Sequence, residues 1–364
     1  MKIASVRTFL VEVPQKHPIA PYSSRYRPQS STKSLLARVE ADDGTVGWGE
    51  TPQRYLGEQL TGGEGAALTR QVAGKDPRDI SALYADWGLD GDYLQSAVEM
   101  ACWDILGKSC GLPLYRLLGG AVRREIELAA CMGIRPPHEA ADIARLYVEQ
   151  GFSTLKTKAG RDAEEDLAMV RAIRDAVGDK LRLRIDPNTG YSPEVCLQLA
   201  KDLERYDLEY FEQPMPESCL EYSARIRQLT TTPLALNESV TTLSEVLRIL
   251  ELRAADYLLP DTYQCGGLWA CRLVAEMAAA AGVPCIVHCA HDLGPKTAAM
   301  LHLAASTPNF PLANDCTYYG LVDDVLAEPF HIERGRLPVP EGPGLGIEVD
   351  LEKVRRFEIA PLST

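Results

Sequence analysis

The sequence predicts an α/β protein in which a parallel, TIM-type β/α barrel is joined to a smaller α+β domain. Three observations predict it. From about residue 125 to 316, short apolar runs of strand composition alternate with helix-length amphipathic segments, which is the pattern of consecutive β/α units. Three of these runs end in polar clusters, Lys156-Thr157-Lys158, Asp186-Pro187-Asn188 and Glu212-Gln213-Pro214, and the C-terminal ends of parallel barrel strands converge on one mouth. The length of 364 residues exceeds the roughly 250 of a barrel alone. The expected division is a capping domain at 1–120, completed by 325–364, and a barrel at 121–324.

Taken in order, residues 2–13, 33–42 and 45–50 read as three strands, with Asp42-Asp43-Gly44 supplying turn chemistry between the last two. They should form an antiparallel sheet. Between the first two lies His17 to Ser31, rich in proline, serine, tyrosine and arginine and without either period. This predicts a long loop that approaches the barrel opening. From Gly65 to Lys108 the period is helical, and Gly111, Pro113 and Gly119-Gly120 then break it. Barrel strands are expected near 125–133, 153–160, 181–188, 209–215, 233–239, 255–262, 284–289 and 311–316. Helices such as Pro193–Tyr206 and Leu243–Leu252 separate them, the first with Ser192 as its cap and Pro193 in its first turn. Residues 326–360 read as strand and turn that pack back onto the N-terminal domain.

The net charge of −13 argues against nucleic acid or an anionic membrane as partner. No apolar run reaches 18 residues, and the alternating N-terminus lacks the apolar stretch of a signal peptide. A cytoplasmic, metabolite-handling protein is expected. Ten cysteines occur without a CxxC pair, most of them in apolar periodic segments, as reduced core thiols do.

Later strand ends extend the polar series with Asn237-Glu238-Ser239, Pro260-Asp261, His288 and Asp315. Asp186, Glu212 and either Asn237 or Glu238 would form a hard oxygen site for Mg²⁺, with Mn²⁺ as a substitute. Lys156 and Lys158 alternate by two and share a face. In a buried barrel, desolvation and mutual repulsion should lower their pKa values toward the range of a general base. His288 is a second candidate, with Asp261 holding its tautomer. Gly266-Gly267 lacks the remainder of any phosphate-binding motif. Cysteine catalysis by Cys265 or Cys289 would leave the acid clusters unexplained.

At these residues the chain resembles the enolase superfamily, in particular its mandelate racemase-like members. The matching stretches are Lys156-x-Lys158, Asp186-x-Asn188, Phe211 to Pro214, Pro260 to Gly267, His288, the helix Ala101 to Lys108 and Leu117 to Gly120, and they span essentially the whole chain. The resemblance implies a modified (β/α)7β barrel under an α+β cap, and Mg²⁺ that binds the substrate carboxylate and stabilises the enediolate formed on loss of the α-proton. It implies that Lys158 is the base on one face and that Lys156 neutralises the carboxylate. His288, paired with Asp261, would serve the other face, and Asp315 would hydrogen-bond the enediolate. It also implies a homo-oligomer.

A large polar mouth with few aromatics suits a hydroxylated acid, so dehydration of a hydroxy acid or acid sugar to a 2-keto acid is favoured. Racemisation or epimerisation, a hydroxyproline-type dehydratase, cycloisomerisation and an inactive acid-binding sensor are the alternatives. Asn188 and the cap residues Tyr22, Arg25, Tyr26, Arg27, Arg54 and Tyr55 could bind the substrate, arginines suiting a second carboxylate through their planar fork.

Overall fold

The protein is described from a computed structural model covering residues 1–26, 28–53, 60–87 and 93–359. Strands β1 (Ile3–Pro14), β2 (Ser31–Ala41) and β3 (Val46–Pro52) form an antiparallel meander in that order. The helix Tyr93–Cys110 crosses this sheet so closely that Gly47 and Gly49 are obligatory there. A Cβ on either would lie 2.0 or 1.9 Å from the Ala101 or Ala97 carbonyl oxygen, a contact that only glycine avoids.

The barrel strands are β4 (Glu125–Met132), β5 (Thr154–Lys158), β6 (Arg182–Asp186), β7 (Tyr210–Glu212), β8 (Leu234–Leu236), β9 (Tyr257–Leu258) and β10 (Asn314–Asp315), all parallel, with β10 returning to pair with β4. The eighth stave is the extended segment 285–288, which carries only one ladder bridge. It still closes the ring, because Ile286 N–H donates to Leu258 O at 2.9 Å and Asp315 N–H to Val287 O at 3.1 Å. The paired lengths are shorter than the expected strands at both ends, although Lys156, Lys158, Asp186, Glu212 and Asp315 remain within the ladder. Below the mouth Tyr210, Ala235, Leu259 and Ile286 pack as an interior layer, the filled core of a small barrel.

The expected helices form where their signals lie. Pro193–Leu203 is capped by Ser192, whose hydroxyl accepts from Val195 N–H, and Leu243–Leu252 by Thr242. The helix Gly294–Ser306 is buried along its whole length. Its opening N–H groups at Leu293 and Lys296 are accepted by the carboxylate of Glu50, from β3. Glu99, on the Tyr93–Cys110 helix, does the same for Leu268 and Trp269 at the start of Leu268–Ala280. Unmet helix-terminal donors would otherwise be stranded in the interior. The tail divides between two partners: β11 (Arg336–Pro338) pairs antiparallel with barrel strand β4, while Glu358, after the helix Leu351–Phe357, bridges to Val11 of β1.

Candidate active site

The strand tips gather their charges into one buried cluster. Lys156 and Lys158 point to one side of β5, as period-two alternation requires. Lys156 Nζ lies 2.7 Å from Glu212, 2.8 Å from Asp315 and 3.2 Å from Asp186. Lys158 Nζ lies 2.5 Å from Asp186 Oδ2. Burial opposes the charge of Lys156, but Asp315, Glu212 and Asp186 outweigh it and hold its pKa well above the ordinary value. The expected lowering is reversed for Lys156, because the cations in the mouth are interleaved with acids rather than stacked on one another. Deeper in the barrel Arg184, fully buried, bonds Glu209 and Asp315, and so orients the far oxygen of Asp315.

Two carboxylates in this cluster are incompletely used. Oε2 of Glu212 and Oε2 of Glu238 are buried without a hydrogen-bond partner. Burial followed by Asp186 raises Glu212 well above the usual carboxylate range and brings Glu238 to about 7. Asp186 is held below that range, because Lys158 and Lys156 outweigh its burial. Three acids that repel one another, two of them with idle oxygens, are what an oxygen-preferring divalent cation would relieve.

Just after β8, Asn237 spends both amide hydrogens on Leu259 O and Gln264 Oε1, whereas Glu238 feels the charge of Asp186 and takes a 3.0 Å bond from Asn188. Glu212, His288 and Asp315 also lie within 4.8 Å of one another. The Lys156 ammonium, bonded to both acids of that trio, already fills the space between them.

His288 Nδ1 sits 2.8 Å from Asp261 Oδ2. Burial lowers its pKa, partly offset by Asp261. Asp261 stays ionised because Lys296 outweighs its burial. Described residues of the loop between β1 and β2 reach the mouth. Arg25 Nη1 donates to Asn188 O and Thr189 Oγ1, each at 3.0 Å. Tyr22 is buried edge-on against His291, ring centres 4.3 Å apart, and Tyr26 lies on the rim, with 42% of its surface exposed. Arg27, Arg54 and Tyr55 lie outside the described residues.

Sequence reasoning missed several residues here. Gln213 accepts from the N–H groups of Asn237 and Ser239 and donates to Ser239 Oγ, so it fixes the turn that carries Glu238. His291, φ 65°, is bonded to Gln15. Lys296 bonds Asp261 and Asp292. Only Lys296 left a signal: a lysine in a helix's first turn opposes the macrodipole and needs a partner.

Residues 139–354 match the family "Enolase C-terminal domain-like" and residues 5–119 the "Mandelate racemase / muconate lactonizing enzyme, N-terminal domain". The chain belongs to the enolase superfamily, in its mandelate racemase and muconate lactonizing enzyme branch. Its relatives within that superfamily differ in reaction. D-galactarolactone cycloisomerase of Agrobacterium fabrum is 31% identical, covering 99% of both chains. L-Ala-D/L-Glu epimerase of Bacillus subtilis is 32% identical over 95% of this chain and 97% of its own. Cis-3-hydroxy-L-proline dehydratase of Roseibium aggregatum is 30% identical over 95% and 96%. The crystal structure of an enolase from Streptomyces coelicolor superposes with a TM-score of 0.89 at 32% identity, covering 98% of this chain and 96% of that one. No helix among the described residues is long and apolar enough to cross a membrane.

Proposed function

We propose that this superfamily member removes the α-proton of a small 2,3-dihydroxy acid, such as an acid sugar, and then eliminates the β-hydroxyl, leaving an enol that tautomerises to a 2-keto acid. The observation that carries the first step is the pairing of two proton-transfer groups, Lys158 and His288, with a carboxylate set whose idle oxygens fit Mg²⁺. Asp186, Glu212 and Glu238 would hold that ion, rather than Asn237. Bound there, it would supply positive charge to the substrate carboxylate and to the negative charge that develops as the proton leaves.

The side chains do the remainder. Lys158, once freed from its ion pair with Asp186 and having given one proton to solvent, would accept the α-proton on one face. Lys156 stays an ammonium and stabilises the anionic product of that step more than the ground state. Asp315, fixed by Arg184 and Lys156, offers its hydrogen-bonding edge, and His288, held by Asp261 through Nδ1, would deliver to the departing hydroxyl a proton that its Nε2 has first taken up from solvent. Asn188 and the cap donors Tyr22, Arg25 and Tyr26, with Arg27 and Tyr55 from outside the described residues, would hold the rest of the substrate. A homo-oligomer is part of this proposal.

A second reading is favoured by one observation. His288 is tied to Asp261 through Nδ1, which leaves Nε2 to take or return a proton on the face opposite Lys158, and this suits return of the proton with inversion, as in an epimerase. Incubation of hydroxy acids, acid sugars and N-acyl amino acids with enzyme and Mg²⁺ in D₂O separates the two. Release of 2-keto acid supports dehydration. Exchange with inversion and no keto acid from any hydroxy acid assigns epimerisation, and no exchange with any acid removes both. In the dehydratase, His288→Asn keeps α-exchange but loses keto-acid release. Lys158→Ala loses both, each by about 10²-fold or more.

A further inference from the structure

Lys296 is a fully buried cation that the scheme above leaves without a part. Its ammonium reaches both oxygens of Asp261, at 2.8 and 3.1 Å, and Asp292 Oδ1 at 2.7 Å. Its own backbone N–H is pinned by Glu50 at 2.9 Å. Asp261 Oδ2 in turn receives the His288 ring. Glu50 of β3 thus anchors the Lys296 backbone, and hydrogen bonds then run from the Lys296 ammonium through Asp261 to the imidazole.

Desolvating an ammonium costs several kcal/mol unless it is well paired, so the pairing explains why Lys296 is tolerated. It does not explain why the acid chosen is the partner of His288. Among the described groups, Asp261 has no arginine and no second lysine bonded to it; its other contacts are the weaker Tyr263 N–H at 3.4 Å and Thr262 hydroxyl at 3.5 Å. A carboxylate held only by those could rotate and offer either oxygen to the ring. Lys296 straddles both oxygens and removes that freedom.

We propose that Lys296 is a positioning residue that completes a Lys296–Asp261–His288 triad, fixing the imidazole with Nδ1–H on Asp261 and Nε2 free for the substrate. The inference rests on the reading of His288 as an acid or base toward the substrate. It goes further by naming the residue that sets its tautomer and linking it to the cap.

The test uses the full-length protein with ¹⁵N-labelled histidine, His288 being assigned by the resonances lost in His288→Asn. Wild type should show a single His288 tautomer with Nδ1 protonated. In Lys296→Met combined with Asp292→Asn, which removes one cation and one anion together, the two ring nitrogens should average toward a mixture. On the substrate found above, kcat should fall about tenfold or more with KM changed less than about threefold, the signature of an interaction used in the transition state. If circular dichroism shows that the double variant has lost its fold, Lys296→Arg carries the same test, since it keeps the charge and displaces the contact point.

An unaltered tautomer in a folded variant overturns the proposal, whether or not kcat falls, because a structural loss alone would leave the ring as it was. Intact turnover in His288→Asn would instead overturn the reading of His288 itself. Loss of turnover in that variant with no change of tautomer in the lysine variants confines the failure to Lys296.

Discussion

Asn188 and Glu238 meet across two strand ends: Nδ2 of Asn188 donates to Oε1 of Glu238 at 3.0 Å, and Oε2 of Glu238 is left buried with nothing to bond. Asn188 can do this because it adopts a left-handed backbone, φ 48°, which asparagine tolerates better than most residues. The first prediction follows from that idle oxygen. Mg²⁺ at about a hundred times its Kd should stabilise the wild type by about 2.7 kcal/mol, read as a rise in melting temperature. Glu238→Gln should lose most of that rise. Asn237→Ser, although destabilised by the loss of two amide bonds, should keep it. The reverse pattern would make Asn237 the ligand.

A second prediction concerns pH. Glu50 is driven up to about 8 by burial, with Asp292 adding to the effect. A carboxyl whose folded pKa lies above its unfolded value near 4.5 contributes stability that is present below about pH 4.5 and lost as pH rises through about 8. Urea midpoints of metal-free wild type should therefore carry a downward component between pH 5 and pH 8.5. Glu50→Gln, which cannot ionise, should remove that component. Parallel midpoint curves for the two proteins would show that Glu50 does not hold its proton.

The third prediction tests the loop over the mouth. Arg25 is its tether to the β6 tip, through Asn188 O and Thr189 Oγ1. Arg25→Ala should speed amide hydrogen exchange across residues 18–26 and raise KM for a diacid more than for a monoacid. Equal KM increases would leave the tether but remove the second-carboxylate role.

The barrel and much of its mouth were legible because both write themselves into local patterns. Apolar runs that end in Lys156-Thr157-Lys158, Asp186 and Glu212 announce staves and tips together. The choice between Asn237 and Glu238 was not legible: β8 ends at Leu236, so both lie where period-two alternation no longer fixes direction. Gln213, which decides that turn, looks like any polar residue after a strand. Lys296 announced only that it needed a partner, and Glu50 announced nothing, for another reason. Their partners lie 35 and 246 residues away, and no local period reports a contact of that range.

The fourth prediction lies at the junction behind the mouth. Gly267 has φ 139°, and a Cβ there would fall 2.4 Å from the Tyr84 hydroxyl and 2.6 Å from the Glu99 carboxyl carbon. Gly267→Ala should cost about 2–4 kcal/mol of stability, a combined strain and clash effect, measured by urea unfolding. A loss under about 0.5 kcal/mol, the range of an ordinary surface change, would mean that the Glu99 contact is not close.

The two carboxylates that the cap lends to the barrel, Glu50 to Leu293 and Lys296 and Glu99 to Leu268 and Trp269, bear on how such proteins can be recombined. A chimera that joins this barrel to the cap of a relative inherits helix starts whose acceptors sit on the discarded piece. Unless the donor cap carries an acid at both places, the graft leaves bare N–H groups beneath the mouth. Swapping caps to change substrate preference thus requires transplanting Glu50 and Glu99 with the barrel, as though they were part of its own sequence.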